Sequence, residues 1–189
     1  MPAGGPGPVL ETGRLLLRRW RAEDLGPLAE LNADPEVMEH FPATLSRTEV
    51  ALLLARLEAG FERDGYGFWA VELRGEPTLA GFVGLSPVPR DFPLAPAVEI
   101  GWRLGRAHWG QGIAREAAEA ALAYGFQTLG LEEIVAYTST GNERSRRLME
   151  RLGMARDASA DFDHPRIAAG DRLERHVVYR IENATRRGA

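Results

Sequence analysis

Strand and helix signals alternate along this 189-residue chain and predict one α/β domain. Two further observations support that class. The apolar stretch Val98 to Leu104 runs into a glycine turn that opens a helix, a strand–turn–helix unit suited to holding an anion. The length suits a single domain with a full core, and the chain shows neither an internal repeat nor a long linker.

The elements follow in order. Met1 to Pro8 is rich in Gly and Pro and lacks the charged start and apolar centre of a targeting peptide. Residues 1–10 are therefore expected to form a flexible tail on a cytoplasmic protein, residues 11–182 the domain, and residues 183–189 a second tail. Arg14 to Trp20 reads as a strand and Ala22 to Asn32 as a helix. Ser46 to Arg63 reads as a longer helix, because Ser46-Arg47-Thr48-Glu49 forms a capping box. Tyr66 to Leu73 and Leu79 to Leu85 form a hairpin turning at Arg74-Gly75-Glu76-Pro77, and Pro87 to Pro96 is a loop. Val98 to Leu104 is a strand and Gly112 to Phe126 a helix. On that helix Ile113, Ala117, Ala120, Ala121 and Tyr124 share a face, small enough for close approach to a sheet. In the strand Glu133 to Ser139, Val135, Tyr137 and Ser139 point one way. The helix Arg144 to Leu152 stops at Gly153, which suits a left-handed position after a helix. The last strands are expected at Met154 to Asp161 and His176 to Ile181, around a polar loop.

Composition excludes several classes. Cysteine is absent, so disulfides, thiolate nucleophiles and Cys-ligated metals are excluded. A net charge of −4 disfavours a general nucleic-acid surface, and neither nucleic acid nor membrane is expected as a partner. All 23 basic residues are Arg, most simply a compositional bias. The four histidines have no metal-ligand spacing, so no metal is expected.

The turn at Gly110 and Gly112 carries the most chemistry. Without Cβ atoms the backbone can turn tightly and bring successive N–H groups to an anion, and the following helix adds unpaired donors and the positive end of its dipole. A Walker loop is excluded because it requires Lys and the chain has none. A dinucleotide fingerprint requires Gly or Ala at 115, where Arg115 stands. The pair Glu132-Glu133 lies at a fitting distance for a ribose carboxylate, yet it opens a strand where such a residue closes one.

Trp109-Gly110-Gln111-Gly112-Ile113-Ala114 resembles the pyrophosphate loop Q/R-x-x-G-x-G/A of the GNAT acyl-CoA N-acyltransferases, departing at Trp109. Its W-G-x-G-x-A form is similar to the branch that acetylates ribosomal-protein N-termini and related amines. Three further stretches resemble that branch in the same order: Glu11 to Arg18, Ala33 to Met38, and Asn142 to Met154 with its N-x-x-S opening. Together they cover most of residues 11 to 181. The resemblance implies a mixed twisted sheet of about seven strands, splayed between the fourth and fifth, with helices on both faces.

It also implies acetyl-CoA as co-substrate, with a small-molecule amine or a protein N-terminus as acceptor. Trp109, Gly110, Gln111, Gly112, Ile113 and Ala114 would hold the pyrophosphate, and the main chain of Trp102, Arg103 and Leu104 would pair with the pantetheine arm. Asn142 would hold a pantetheine amide while capping its helix. Ser145 would face the thiolate, although a helical Ser also bonds back to its own backbone. Many members carry an acidic Tyr where Met149 stands, so Ser145 or water must serve. Glu99 is the first candidate for a base, with a solvated or Arg-paired carboxylate as the plainer reading. His40 and Phe41 in the Asp34 to Leu45 loop, the Phe92 region and His164 would line the acceptor pocket, while each histidine also reads as a structural residue. Asp161, Asp163 and Asp171 give the late loop an acidic character that would suit a cationic amine or a basic peptide N-terminus, while such a loop also reads as simply solvated. Homodimerisation is compatible with the branch. Two other readings stay open: a GNAT-fold module that binds acyl-CoA with little chemistry and, more weakly, a dinucleotide-binding oxidoreductase.

Overall fold

The computed structural model describes residues 8–183 and arranges nine strands in one sheet with four α-helices. β1 (Leu10–Glu11) and β2 (Leu15–Arg18) lead into α1 (Leu25–Ala33) and α2 (Arg47–Asp64). The hairpin β3 (Phe68–Leu73) and β4 (Glu76–Pro87) is followed by β5 (Val98–Leu104), α3 (Ile113–Gln127), β6 (Glu133–Ser139) and α4 (Glu143–Arg151). The short strands β7 (Ala155–Arg156) and β8 (Phe162–Asp163) precede the long β9 (Arg175–Glu182). The sheet order is β1-β2-β3-β4-β5-β6-β9-β7, with β8 also beside β9. Neighbours are antiparallel except β5 and β6, which run parallel and pair at one position, Glu99 with Val135. The expected splay is therefore the β5–β6 junction.

Nine strands replace the expected seven for two reasons. β1 is an added edge piece, and the strand expected over Met154 to Asp161 breaks into β7, a 3-10 turn at Ala158–Ala160, and β8. Side-chain bonds there interrupt the regular ladder with β9. Asp157 accepts from Ser159 Oγ at 2.6 Å, and Asp161 Oδ1 accepts the Val178 N–H at 3.2 Å. The helix expected from Ala22 likewise starts as a 3-10 turn and becomes α-helical only at Leu25, because Asp24 turns inward. Asp24 receives both terminal nitrogens of buried Arg18 at 2.8 Å, while Arg18 Nε donates to Glu72 at 2.6 Å. The expected tail boundaries also move. Leu10 pairs with Leu17, Trp69 Nε1 donates to the Pro8 carbonyl at 2.7 Å, and Asn183 is buried. Residues 1–7 and 184–189 of those tails lie outside the described residues.

Ile113, Ala117, Ala118 and Ala121 of α3 are buried against the face of the sheet that carries Leu85, Ile100 and Ile134. Gly125 shows how close that approach is, since a Cβ there would come within 2.8 Å of Ile134 Cδ1. Each large apolar side chain buried in this way contributes roughly 1.5–3 kcal/mol, so packing fixes α3 and with it the turn at its start. A smaller cluster of Val88, Phe92, Leu94, Val135, Phe162 and Val178 covers part of the opposite face. The end of α1 and the loop after it lie on that face too, reaching Arg103 through Asn32 and Phe41.

Candidate active site

Both glycines of the phosphate-type turn are left-handed, Gly110 at φ 71° and Gly112 at φ 78°. Gly112 caps α3, and its carbonyl accepts the Glu116 N–H at 3.0 Å. The N–H groups of Ile113, Ala114 and Arg115 therefore remain without helical partners. Arg14 adds a cation at the rim: its Nη1 donates to the Gln111 carbonyl at 3.0 Å, and it pairs with Glu116 at 2.6 Å. A Cβ on Gly112 would sit 3.4 Å from Arg14 Nη2. Open donors beside a cation suit a pyrophosphate. Only the tertiary fold brings Arg14, from the Glu11 to Arg18 stretch, against Glu116 of α3.

The structure explains the departure at Trp109. Its indole Nε1 donates to the Leu104 carbonyl at 2.8 Å, tying the turn to the end of β5, and the Arg144 guanidinium lies over its ring at 4.2 Å. The Leu104 carbonyl, expected to serve an incoming pantetheine, already has an internal donor.

Beyond the Glu99–Val135 pairing, the β5 edge from Ile100 to Leu104 has no strand partner on the β6 side. Asn142 stands across this gap. Its Oδ1 accepts the Ser145 N–H at 3.2 Å and its Nδ2 donates to Thr138 Oγ1 at 2.9 Å, so the side chain is held by α4 and β6 together. Oxygen and nitrogen each keep a second bonding capacity. Ser145 Oγ makes no hydrogen bond among the described residues and does not bond back to its helix. Met149 is 1% exposed and belongs to the core.

Alternation puts Glu99, Gly101 and Arg103 on the face of β5 away from α3, and Val135, Tyr137 and Ser139 on the matching face of β6. Glu99 is half-buried there, and burial pushes its carboxyl up to about 7 while a hydrogen bond with the Tyr137 hydroxyl pulls it partly back. Burial raises Tyr137 as well, followed by the charge of Glu99. Tyr137 is the partner that sequence reading missed, although the parity of the two strands was enough to pair the faces. Its ring leads into an aromatic row, 5.5 Å from Phe162 and 5.8 Å from Phe92, with His164 4.9 Å from Phe92 and 4.8 Å from His176. Burial lowers His40, His164 and His176, keeping all three imidazoles neutral at pH 7.

Of the proposed acceptor residues, His40 Nδ1 lies 3.2 Å from Ser139 Oγ, and Phe41 lies beneath the Arg103 guanidinium at 3.8 Å. His164 sits in the Phe92 row, against His176 at 4.8 Å, and His176 is the strand partner of the same Ser139 that His40 meets. The acidic character expected of the late loop is largely neutralised. Asp161 pairs with Arg156, Asp163 pairs with Arg175 at 3.1 Å, and the Asp171 carboxylate accepts the Leu173 N–H at 2.8 Å. Among the described residues no cluster of three His, Asp or Glu side chains has a metal-binding arrangement, and no helix is long and apolar enough to cross a membrane.

A parallel pair that diverges past one residue, followed by an anion-binding helix start, defines an acyltransferase of the acyl-CoA type. Comparisons with known proteins agree. The model of the acetyltransferase (GNAT) domain matches residues 14–155, and the chain belongs to that family. It is 30% identical over 152 residues to the uncharacterized N-acetyltransferase YoaA of Bacillus subtilis, covering 79% of this chain and 84% of that one. It is 32% identical over 154 residues to the FsC-acetyl coenzyme A-N(2)-transacetylase of Aspergillus fumigatus, covering 78% and 65%. The solved GNAT-family acetyltransferase of Bacillus anthracis superposes with a TM-score of 0.78 at 26% identity, over 93% of this chain and 99% of that one. Family and fold together overturn the dinucleotide-binding reading; Arg115 is a surface residue paired with Glu119 at 2.8 Å.

Proposed function

We propose that this acyltransferase moves the acetyl group of acetyl-CoA directly onto an α-amine, that of a peptide N-terminus or of a small molecule. The observation that carries the reading is Glu99, a carboxyl held near 7 on the open side of the β5–β6 split. An α-amine near pKa 7.8 costs about 1 kcal/mol to deprotonate at pH 7, and a lysine near 10.4 about 4 to 5. A base near 7 is poised for proton transfer at neutral pH, and an α-amine asks least of it. The similarity to a fungal N(2)-transacetylase and, at 20% identity, the shared fold of the ribosomal-protein-S5-alanine acetyltransferase of Vibrio fischeri sit comfortably with an α-amine or a protein N-terminus, the specialty of the branch named above.

Bound acetyl-CoA supplies an acyl group activated as a thioester. In this reading the donors of Gly112 to Arg115 hold the pyrophosphate with Arg14, and the open edge of β5 together with Asn142 positions the pantetheine. Glu99 takes the proton lost by the attacking nitrogen as the C–N bond forms. Ser145 Oγ, free of internal bonds, donates to the departing sulfur as the C–S bond breaks. The protein acts without a metal, in the cytoplasm, and a homodimer is compatible with this scheme. Thiol release measured over peptides with free N-termini, amino acids, polyamines, aminoglycosides and N-blocked lysine peptides tests it. The expected result is turnover of α-amines well above lysine ε-amines; turnover of ε-amines alone, or of no amine, overturns it.

A further inference from the structure

Arg103 is a half-buried cation with no carboxylate. Its Nη1 donates to Asn32 Oδ1, its guanidinium lies over Phe41 at 3.8 Å and Phe82 at 5.2 Å, and its Nε is enclosed without any hydrogen-bond partner. Among the described residues no Asp or Glu lies within ion-pair distance of it, whereas the buried Arg18 is neutralised by Asp24 and Glu72. A desolvated charge without a counter-ion is costly, so the Arg103 guanidinium is a candidate to receive an anion from outside the protein's own side chains.

Its position suggests the reason. Arg103 shares a face of β5 with Glu99, four residues or roughly 13 Å along the strand. Gly101 lies between them and contributes no side chain, and the Phe68 ring covers it: a Cβ at 101 would come within 3.1 Å of Phe68 Cε1. The two charged groups thus stand at opposite ends of one aromatic-lined strip. Phe41, which stacks on Arg103, belongs to the same loop as His40, which meets Ser139 on β6. Nearby, Glu39 is offset by Arg144, and Arg172 donates to the Glu39 carbonyl instead of pairing with an acid. Two of the acids expected to attract a cation, Asp161 and Asp163, are paired with Arg156 and Arg175.

We infer that Arg103 is a specificity-determining anion receptor of the acceptor site: the preferred amine carries a carboxylate that docks on this guanidinium while the amine lies toward Glu99. The inference rests on the acetyl-transfer reading above and narrows its acceptor. The carboxylate has two sources, the C-terminus of a short peptide or an acidic side chain near the N-terminus of a longer one.

Matched acceptors test both. One pair is a short peptide as its free acid and as its C-terminal amide; the other is an amidated longer peptide with Glu or Gln early in its sequence. The ratio of kcat/KM within each pair is read for the native protein, for Arg103→Lys and for Arg103→Met, so a general loss of activity cancels. The native protein is expected to prefer the carboxylate member of at least one pair by about tenfold or more through KM, as a charge-assisted contact provides. Arg103→Met is expected to bring that ratio to about one, with Arg103→Lys between. Which pair shows the preference identifies the source of the carboxylate. Calorimetry with the N-acetylated acid and amide reads the same preference without turnover. Equal handling of acid and amide by the native protein, or a preference that survives Arg103→Met, overturns the inference. Failure of every amine to turn over strikes the acetyl-transfer reading instead, and the calorimetric preference still decides on Arg103.

Discussion

Glu99 couples stability to chemistry at a single residue. Its folded-state value of about 7 lies above its ordinary 4.5, so between those two pH values the native state holds a proton that the unfolded chain releases. The group's stabilising contribution is complete below about 4.5 and is lost as pH rises through 7. Glu99→Gln removes that loss. The variant should be more stable than the native protein at pH 8, by about 1–3 kcal/mol, and little changed at pH 4.5. Denaturant unfolding at the two pH values checks this, and an identical difference at both would deny the raised carboxyl. The same substitution should cost roughly 100-fold or more in kcat/KM and reduce the acid-side fall in rate to the single step set by protonation of the amine itself, near 7.8. Gly112 offers a complementary test on the cofactor side. Gly112→Asp places a left-handed residue and a negative charge where the phosphate-type donors converge, yet the only contact its Cβ meets is the end of the Arg14 side chain, at 3.4 Å. The fold should survive while acetyl-CoA affinity falls roughly 100-fold, about 3 kcal/mol. Calorimetry on the folded variant that shows native affinity would move the pyrophosphate elsewhere.

At the scale of elements, the site depends on how the end of β5 is fastened to the start of α3. Trp109 makes that joint through its bond to the Leu104 carbonyl and its stack beneath Arg144. A neutral hydrogen bond and a partly exposed cation–π contact are together worth about 1–2 kcal/mol. Trp109→Ala should therefore weaken acetyl-CoA binding about 5- to 30-fold while leaving the pH dependence set by Glu99 unchanged; a shift of that dependence would show that the joint also positions the base. Trp109 illustrates how far the sequence could be read. The boundaries of β5 and β6 were legible to the residue, because each is an apolar run bounded by turn residues, and the glycine turn was legible because its conformation needs glycine. Why Trp replaces Gln or Arg was not, since the answer is a carbonyl five residues back, at the end of a strand. Arg14 and Glu116 were hidden for a similar reason, lying 102 positions apart with no local pattern to join them. The strand expected at Met154 to Asp161 failed because side chain–backbone bonds outweighed a weak apolar alternation. The acidic reading of the late loop failed because a count of Asp residues cannot show which Arg each one meets.

Across the whole molecule, the loop between α1 and α2 bridges the two strands that diverge. On the β5 side Arg106, just past the strand, holds Asp34 at 2.8 Å and Glu36, and Phe41 packs under Arg103. On the β6 side Arg144 holds Glu39 at 3.0 Å and His40 meets Ser139. A segment fastened to both arms of the split sets how far they stand apart and fixes the position of the acceptor residues relative to Glu99. Most of these ties are exposed ion pairs, with the Arg106, Glu36, Arg144 and Glu39 side chains each about half exposed. Each such pair is worth about 0–1 kcal/mol and is screened as the Debye length falls from about 10 Å at 0.1 M salt to 3 Å at 1 M. The loop should therefore loosen with salt while the sheet does not. Amide exchange at Met38 and Phe41, whose N–H groups bond within the loop to Asp34 and Met38, should quicken several-fold between 0.05 and 1 M salt, with the amides of β4 and β5 unchanged. KM for the amine should rise over the same range. Equal acceleration in loop and sheet would mean that salt acts on global stability, and exchange indifferent to salt would mean that the aromatic contacts of Phe41, and not the ion pairs, hold the loop across the split.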